Sequence, residues 1–420
     1  MEVLGLVALP NWFLMIVAVL FLLIMYSVYK QSYFWSLGIP GPTPIPFLGI
    51  IPSVVKQGLQ ETDLRLMQKY GRHVGTFFGN MPQLLITDPE MITEIFVRRF
   101  SEFTDKPQSF RNTEFFDSAV NVAAGEHWKF LRSTLSPTFS SGKMRNMTPL
   151  ISRCLEKLIQ NAKNMSEGGN SVEMKNLFGA FTLDVICSTG FGIEVDSQSN
   201  PNDPFVVNAR KAMSVNIVGP RFLLGMMFPD LHRFIRNIPL LDQKAIDFFI
   251  DATKSVLNER RKSTSDKQPT YDNVFKLQYL DMVVNETLRV YPPGSRLSRE
   301  ASADTEVCGV KIPKGLDLTV VINAVHFDPE FWPNPHNFDP ERFSPQNKGK
   351  IKPFTFLPFG VGPRNCIGMR LALLEAKMAI VEMLQNFRFC TVSETEIPPK
   401  LDKSVLTKPA NGLYLKLEAL

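Results

Sequence analysis

The stretch Phe359-Gly360-Val361-Gly362-Pro363-Arg364-Asn365-Cys366-Ile367-Gly368 constrains this chain more than any other. A glycine-rich loop with one proline delivers a single cysteine to the start of an apolar, helix-periodic run from about Ile367 to Phe387. A helix N-terminus presents unsatisfied N–H groups and about half a positive charge. Both favour thiolate over thiol. A thiolate held there suits iron ligation or nucleophilic attack, and the glycines let backbone approach a flat cofactor. A buried structural cysteine and a phosphate-cradling loop are competing readings. No Lys-Ser/Thr follows the glycines, so the phosphate loop is a poor match. A cysteine nucleophile needs a histidine partner, and none of the five histidines is marked out for it.

Composition narrows the setting. The 420 residues suffice for one large domain or two ordinary ones. With 44% hydrophobic and 21% charged residues, a disordered chain is excluded. Phe outnumbers Tyr and Trp, 33 against 8 and 4, which calls for apolar burial in a core, a greasy pocket or lipid. Five cysteines with no CxxC pair exclude a disulfide framework and give no zinc spacing, so reduced thiols facing the cytosol are expected. A net charge of +5 suits a membrane surface or an acidic partner and is too weak and scattered for nucleic acid.

From Trp12 to Tyr29 there are 18 residues without a charge, and the uncharged run reaches back to Val3. About 20 apolar residues span a bilayer. Trp12, Tyr26 and Tyr29 sit near the ends, where aromatics prefer the interface, and Lys30 places the C-terminal side in the cytosol. A cleaved signal peptide fits less well, because the run is long and no small-x-small site follows. Residues 1–36 therefore read as a membrane anchor. Residues 37–49 read as a hinge, with prolines at 40, 42, 44 and 46 that forbid helix and favour extended backbone. Residues 50–420 form the body.

In the body, 57–75 reads as helix, followed by strands at Val74–Phe78 and Leu84–Thr87. Helical periodicity dominates 143–262, and 271–290 is a helix ended by Pro292-Pro293. Short strands fill 305–325, and a Pro-rich meander fills 327–365. The expected class is mostly α with minor β. Glu286 and Arg289 share a helix face at i,i+3, and the meander carries Arg342 in Pro340-Glu341-Arg342-Phe343, which could reach Glu286. Trp128 and Arg132 form an i,i+4 pair. Each of these alone reads equally well as an ordinary amphipathic face.

Taken in this order, the anchor, hinge, Trp128-x-x-x-Arg132, Glu286-x-x-Arg289, Pro340–Phe343 and the cysteine loop resemble a cytochrome P-450, a haem-thiolate monooxygenase. The resemblance covers essentially the whole chain. The strings IPGPTPIPFLG, LDMVVNETLR and PFGVGPRNCIGMRLAL look most like the drug- and steroid-oxidising group called family three, with thromboxane synthase next. The resemblance implies haem b with Cys366 as axial thiolate ligand of the iron. It implies Trp128, Arg132, Arg299 and Arg364 as partners of the haem propionates, with Phe359 packed beside the sulfur. It makes Glu286, Arg289 and Arg342 a buried structural triad. Phe103 to Phe116, Phe205 and the apolar stretch 213–241 fall where the family lines its substrate pocket and membrane-facing roof. It further implies residence in the endoplasmic reticulum membrane as a single-pass protein with the haem body in the cytosol. An NADPH-cytochrome reductase would feed electrons, with a cytochrome b-type protein as a further donor, and substrates would be lipophilic: steroids, xenobiotics, fatty acids.

One family motif is missing. Ala-Gly-x-Asp/Glu-Thr-Thr/Ser, whose acid and hydroxyl manage protons during oxygen activation, does not occur. The nearest string, Ala123-Ala124-Gly125-Glu126-His127-Trp128, lacks the threonine. Glu286 and Cys366 lie 80 residues apart, as the resemblance requires. Trp128 and Glu286 lie 158 apart, short by roughly 80 against the layout the resemblance implies. The shortfall falls near 262–268, so the long distal helix is expected to be absent. Such a deletion marks a splice or gene-model product or a shortened paralogue. The alternative to a working monooxygenase is then a catalytically impaired or inactive isoform that is anchored in the membrane and binds haem. A third reading is an isomerase acting on a peroxide substrate.

Overall fold

The computed structural model describes residues 10–107, 119–193, 195–200, 202–212, 224, 227, 228, 244, 277–403 and 406–420. The expected junction near 262–268, most of the stretch 213–241 and residues 108–116 lie outside the described residues.

An apolar helix, α1 (Asn11–Gln31), is followed after one residue by α2 (Tyr33–Ser36). Together they are long and apolar enough to cross a membrane, and residues 11–26 are exposed throughout. The alternate prolines then do what their fixed φ demands: residues 39–44 carry no helix or strand. Next come α3 (Ile51–Gln57) and α4 (Leu59–Tyr70), separated by Gly58. The expected helix over 57–75 is thus shorter, because Gly71 at φ 97° ends it.

Strands β1 (His73–Phe78) and β2 (Met81–Ile86) form a hairpin. It leads into α5 (Pro89–Thr93), capped by Asp88, whose side chain accepts from the N–H groups of Glu90 and Met91. The helical middle is α6 (Gly125–Leu135), α7 (Ser141–Ser166), a short strand β3 (Ser171–Glu173), α8 (Met174–Ile186) and α9 (Pro204–Ala212). After α10 (Gln278–Val290) the chain builds β4 (Arg296–Glu300), the hairpin β5 (Thr305–Val307) and β6 (Val310–Ile312), and β7 (Asp317–Val321). Then follow α11 (Ile322–His326), the irregular meander, α12 (Met369–Asn386), β8 (Phe387–Cys390) and β9 (Tyr414–Ala419). The class is mostly helical with small sheets, as expected.

Two cores organise this order. The four-stranded sheet runs β1-β2-β7-β4, with β2 and β7 parallel and the other pairs antiparallel. Its apolar face packs with Met91, Ile95 and Phe96 and with Trp332, Phe343 and Leu357 of the meander. The second core gathers α7, α8 and α12 over the three-stranded sheet β3-β9-β8, through Ile151, Leu158, Phe181, Leu374 and Leu417. The loop 359–368 leads from one to the other: its Val361 packs on the first core, and Leu371 of α12, which follows it, packs on the second.

Candidate functional site

The loop carrying Cys366 is fixed from three sides. Gly360 and Gly362 adopt φ of 72° and 74°, where a side chain is strained. A Cβ on Gly362 would also lie 1.9 Å from the carbonyl oxygen of Phe96, so only glycine lets the loop dock there. The Cys366 N–H donates to the Phe359 carbonyl at 2.8 Å, closing the loop behind the thiol. Cys366 itself is exposed and stands three residues before the first residue of α12. It therefore lies in the loop leading into the helix, not in its first turn, because Ile367 and Gly368 still complete the turn that redirects the chain.

Arg132, on α6, donates to the carbonyl and to the side-chain oxygen of Asn365, both at 2.9 Å. The planar guanidinium thus grips the residue next to Cys366 in a bidentate manner. Trp128, one turn earlier, is buried, and the Arg364 guanidinium lies 4.1 Å from its ring centre. Arg364 also donates to the Ala123 carbonyl at 2.7 Å and to Asp105 at 3.3 Å.

Strand β4 supplies the last arginine. Its alternation sends Arg296 to Asp63 on α4 at 2.7 Å, while Leu297 stands near Gly360 and Arg299 is fully buried with its guanidinium 4.9 Å over Phe96. Arg299 Nη1 donates to the Ser298 carbonyl at 2.8 Å. Among the described residues its buried Nε and Nη2 find no hydrogen-bond partner. Burial and the Arg364 charge push Arg299 down to about 9, and Asp105 only partly offsets this. Lys106 belongs to the same cluster: burial, then Arg299 and Arg364, push it down to about 8. Arg299 and the Arg364 side chain are buried and Lys106 is half-buried, and cations held this way are costly unless an anion meets them. Lys106 had no motif to reveal it. Its partners lie on β4 and in the cysteine loop, more than 190 residues away in the chain.

The expected triad meets between α10 and the meander. Arg289 grips Glu286 through Nε and Nη2, both at 2.8 Å, and donates to the carbonyls of His326 at 2.9 Å and Pro335 at 2.8 Å. Arg342 stands 3.4 Å from Glu286, and the Asp339 N–H donates to the same carboxylate at 2.9 Å. Glu286 and Arg289 are fully buried. The i,i+3 pair is therefore no surface ornament but the tie between α10 and the meander.

His326 extends this tie, and nothing local in the sequence marked it. The Leu357 N–H donates to its Nε2 at 2.8 Å, so the proton sits on Nδ1, 3.0 Å from the Arg289 carbonyl. One neutral imidazole thus links the triad to the irregular stretch at Leu357 that leads into the cysteine loop. Complete burial pushes His326 down to about 3, with the Arg289 carbonyl opposing and its guanidinium adding to the effect. The unfolded chain takes up a proton near 6.5 and the folded one only near 3. Stability from this residue is therefore present above about pH 6.5 and lost as pH falls toward 3, at about 1.4 kcal/mol per pH unit. Urea unfolding of the wild type and His326→Gln between pH 7 and 4.5 measures it. The wild type should show the steeper loss. Asp317 and Glu375, raised by burial to about 6 and about 7, are common to both proteins and cancel in the difference. Equal slopes would refute the assignment.

This arrangement defines a class. The cytochrome P450 family profile matches residues 39–268 and 263–417, and the chain belongs to that family. By family it is an oxidoreductase of the monooxygenase type with haem iron as its cofactor. Among its relatives, cytochrome P450 3A29 of Sus scrofa is 36% identical over 477 residues, covering 95% of this chain and 94% of the relative. Cytochrome P450 3A5 of Homo sapiens is 36% identical over 498 residues, covering 100% and 98%. Cytochrome P450 3A9 of Rattus norvegicus is 36% identical over 489 residues, covering 98% and 97%.

Proposed function

We propose that the chain is a membrane-anchored haem-thiolate monooxygenase that acts on lipophilic substrates with electrons from an NADPH-cytochrome reductase. The observation that carries this reading is the buried cation cluster beside an exposed cysteine. Haem b fits it on two counts. Its two propionates would meet the buried, unbonded Nε and Nη2 of Arg299 together with Arg364, Lys106 and Trp128. Cys366, on a loop that only glycine allows to dock, would supply a thiolate to hold the iron. Haem iron, when bound, supplies the redox chemistry that inserts one atom of O2 into a substrate. In this reading Arg132 keeps the loop in place through Asn365, and Phe359 closes it through its carbonyl. The triad and His326 hold the loop's approach. Anchorage through α1 would place the body on the cytosolic face of the endoplasmic reticulum, with steroids, xenobiotics and fatty acids as substrate classes and a cytochrome b-type protein as a further donor.

A second reading has its own observation. The two family matches share residues 263–268, and the alignment with the human relative is 498 positions long against 420 residues here, so at least 78 positions (498 minus 420) face gaps. The oxygen-activating motif is absent from the sequence. A chain without that segment would bind haem and anchor in membrane yet fail to turn oxygen chemistry into product.

The expressed full chain, supplied with haem, reduced and exposed to carbon monoxide, is expected to show the red-shifted Soret band of thiolate-ligated haem. No bound haem would overturn both readings. With haem bound, NADPH consumption coupled to product in the presence of reductase supports the monooxygenase. Uncoupled consumption without product supports the impaired form.

A further inference from the structure

We propose that a polar latch on α1 fixes the membrane segment to the body, and so sets the body's attitude on a phospholipid bilayer with Trp35 and Ile45 seated among the headgroups. The proposal rests on α1 being a membrane span. Along α1 and α2 one face alone turns inward. Ser27, Gln31 and Phe34, spaced i, i+4 and i+7, are 0%, 4% and 3% exposed. This contact runs for about 10 Å along the helix.

The partners come from three separate segments. The Ser27 hydroxyl donates to Asn80 Oδ1 at 3.0 Å and accepts from the Phe47 N–H at 2.6 Å. Gln31 Nε2 donates to the carbonyls of Ile45 at 3.0 Å and Gly79 at 3.4 Å. Asn80 in turn donates to the Met227 carbonyl at 2.7 Å. The Phe34 ring lies over Gly75 of β1, where a Cβ would come within 2.4 Å of it, and stands 5.2 Å from Phe77. Hinge, hairpin turn and strand therefore all hold the same helix face.

A serine and a glutamine are costly in an apolar span unless their hydrogen bonds are met. Here the body meets them, which it could not do for a freely swinging anchor. Trp35 and Ile45 flank the latch at 63% and 48% exposure, next to the end of the span. Tryptophan at that level favours the membrane–water interface. The occupant of this surface is the bilayer that α1 itself crosses.

The test uses the full chain in phosphatidylcholine nanodiscs, with spin labels attached by non-cysteine chemistry at Trp12 and at exposed Lys348. The wild type should give one narrow distance distribution. Ser27→Leu/Gln31→Leu makes the span more apolar, and Asn80→Ala breaks the latch from the body. Each should widen the distribution about twofold or more, as expected for domains without a fixed interface. A wild-type distribution as broad as both variants would overturn the latch. Release of the wild type from membranes by alkaline carbonate would overturn it through the span instead. Neither outcome bears on the carbon monoxide spectrum, so failure here is separable from failure of the haem reading.

Discussion

Replacing Arg289 by alanine is expected to destabilise the body by about 3–5 kcal/mol, the usual consequence of stranding one partner of a buried ion pair. Glu286 would keep Arg342 at 3.4 Å and the Asp339 N–H, but would lose both short bonds to Arg289. The carbonyls of His326 and Pro335 would lose their donor as well. Since domains are stable by only about 5–15 kcal/mol in total, such a variant should lose a large part of its margin and unfold at a clearly lower denaturant concentration. Arg289→Lys should not rescue it. An ammonium is a point charge and cannot serve two carboxylate oxygens and two carbonyls from one plane. Chemical unfolding followed by tryptophan fluorescence reads the change directly. A loss below about 1 kcal/mol would mean that the triad behaves like an exposed pair.

Cys366→Ala is expected to do the opposite: leave stability near wild type and abolish the thiolate signature. The thiol is exposed, and the residue's structural duty is its N–H bond to the Phe359 carbonyl, which alanine retains. The reduced, carbon monoxide-treated variant should therefore show no red-shifted Soret band, whatever haem the cation cluster still holds. Arg299→Ala complements it. Removing the buried guanidinium should lower the haem bound per protein while leaving a thiolate-type spectrum on what remains. Persistence of that spectrum in Cys366→Ala would overturn the ligand assignment. Together the two variants separate the role of the thiol from that of the cation cluster.

Some of this was legible from residues alone because the determinants are local. The loop 359–368 announces its turn chemistry through Gly360, Gly362 and Pro363, and only four residues beyond the proline separate it from the motif's last glycine. The apolar run of α1 is visible because a span is defined by composition and length. Helix α10 placed Glu286 and Arg289 on one face by periodicity, and the meander's Arg342 could be matched to them through the family resemblance. Helix ends were less legible: α4 stops at Tyr70 because of Gly71's positive φ, and Cys366 stands before α12 instead of within its first turn.

The sequence by itself determined the chemistry available: a thiol on a glycine loop, a lipid-length helix, an acid and two arginines of the right spacing, and a shortened interval between Trp128 and Glu286. Only the tertiary structure decided who meets whom. Lys106 joins Arg299 and Arg364, His326 links the triad to the cysteine loop, and Ser27 and Gln31 find Asn80 and the hinge. The physical reason is that a periodicity fixes which face a side chain takes, whereas the burial and charge that give it a role come from elements distant in the chain, brought together by sheet register and core packing.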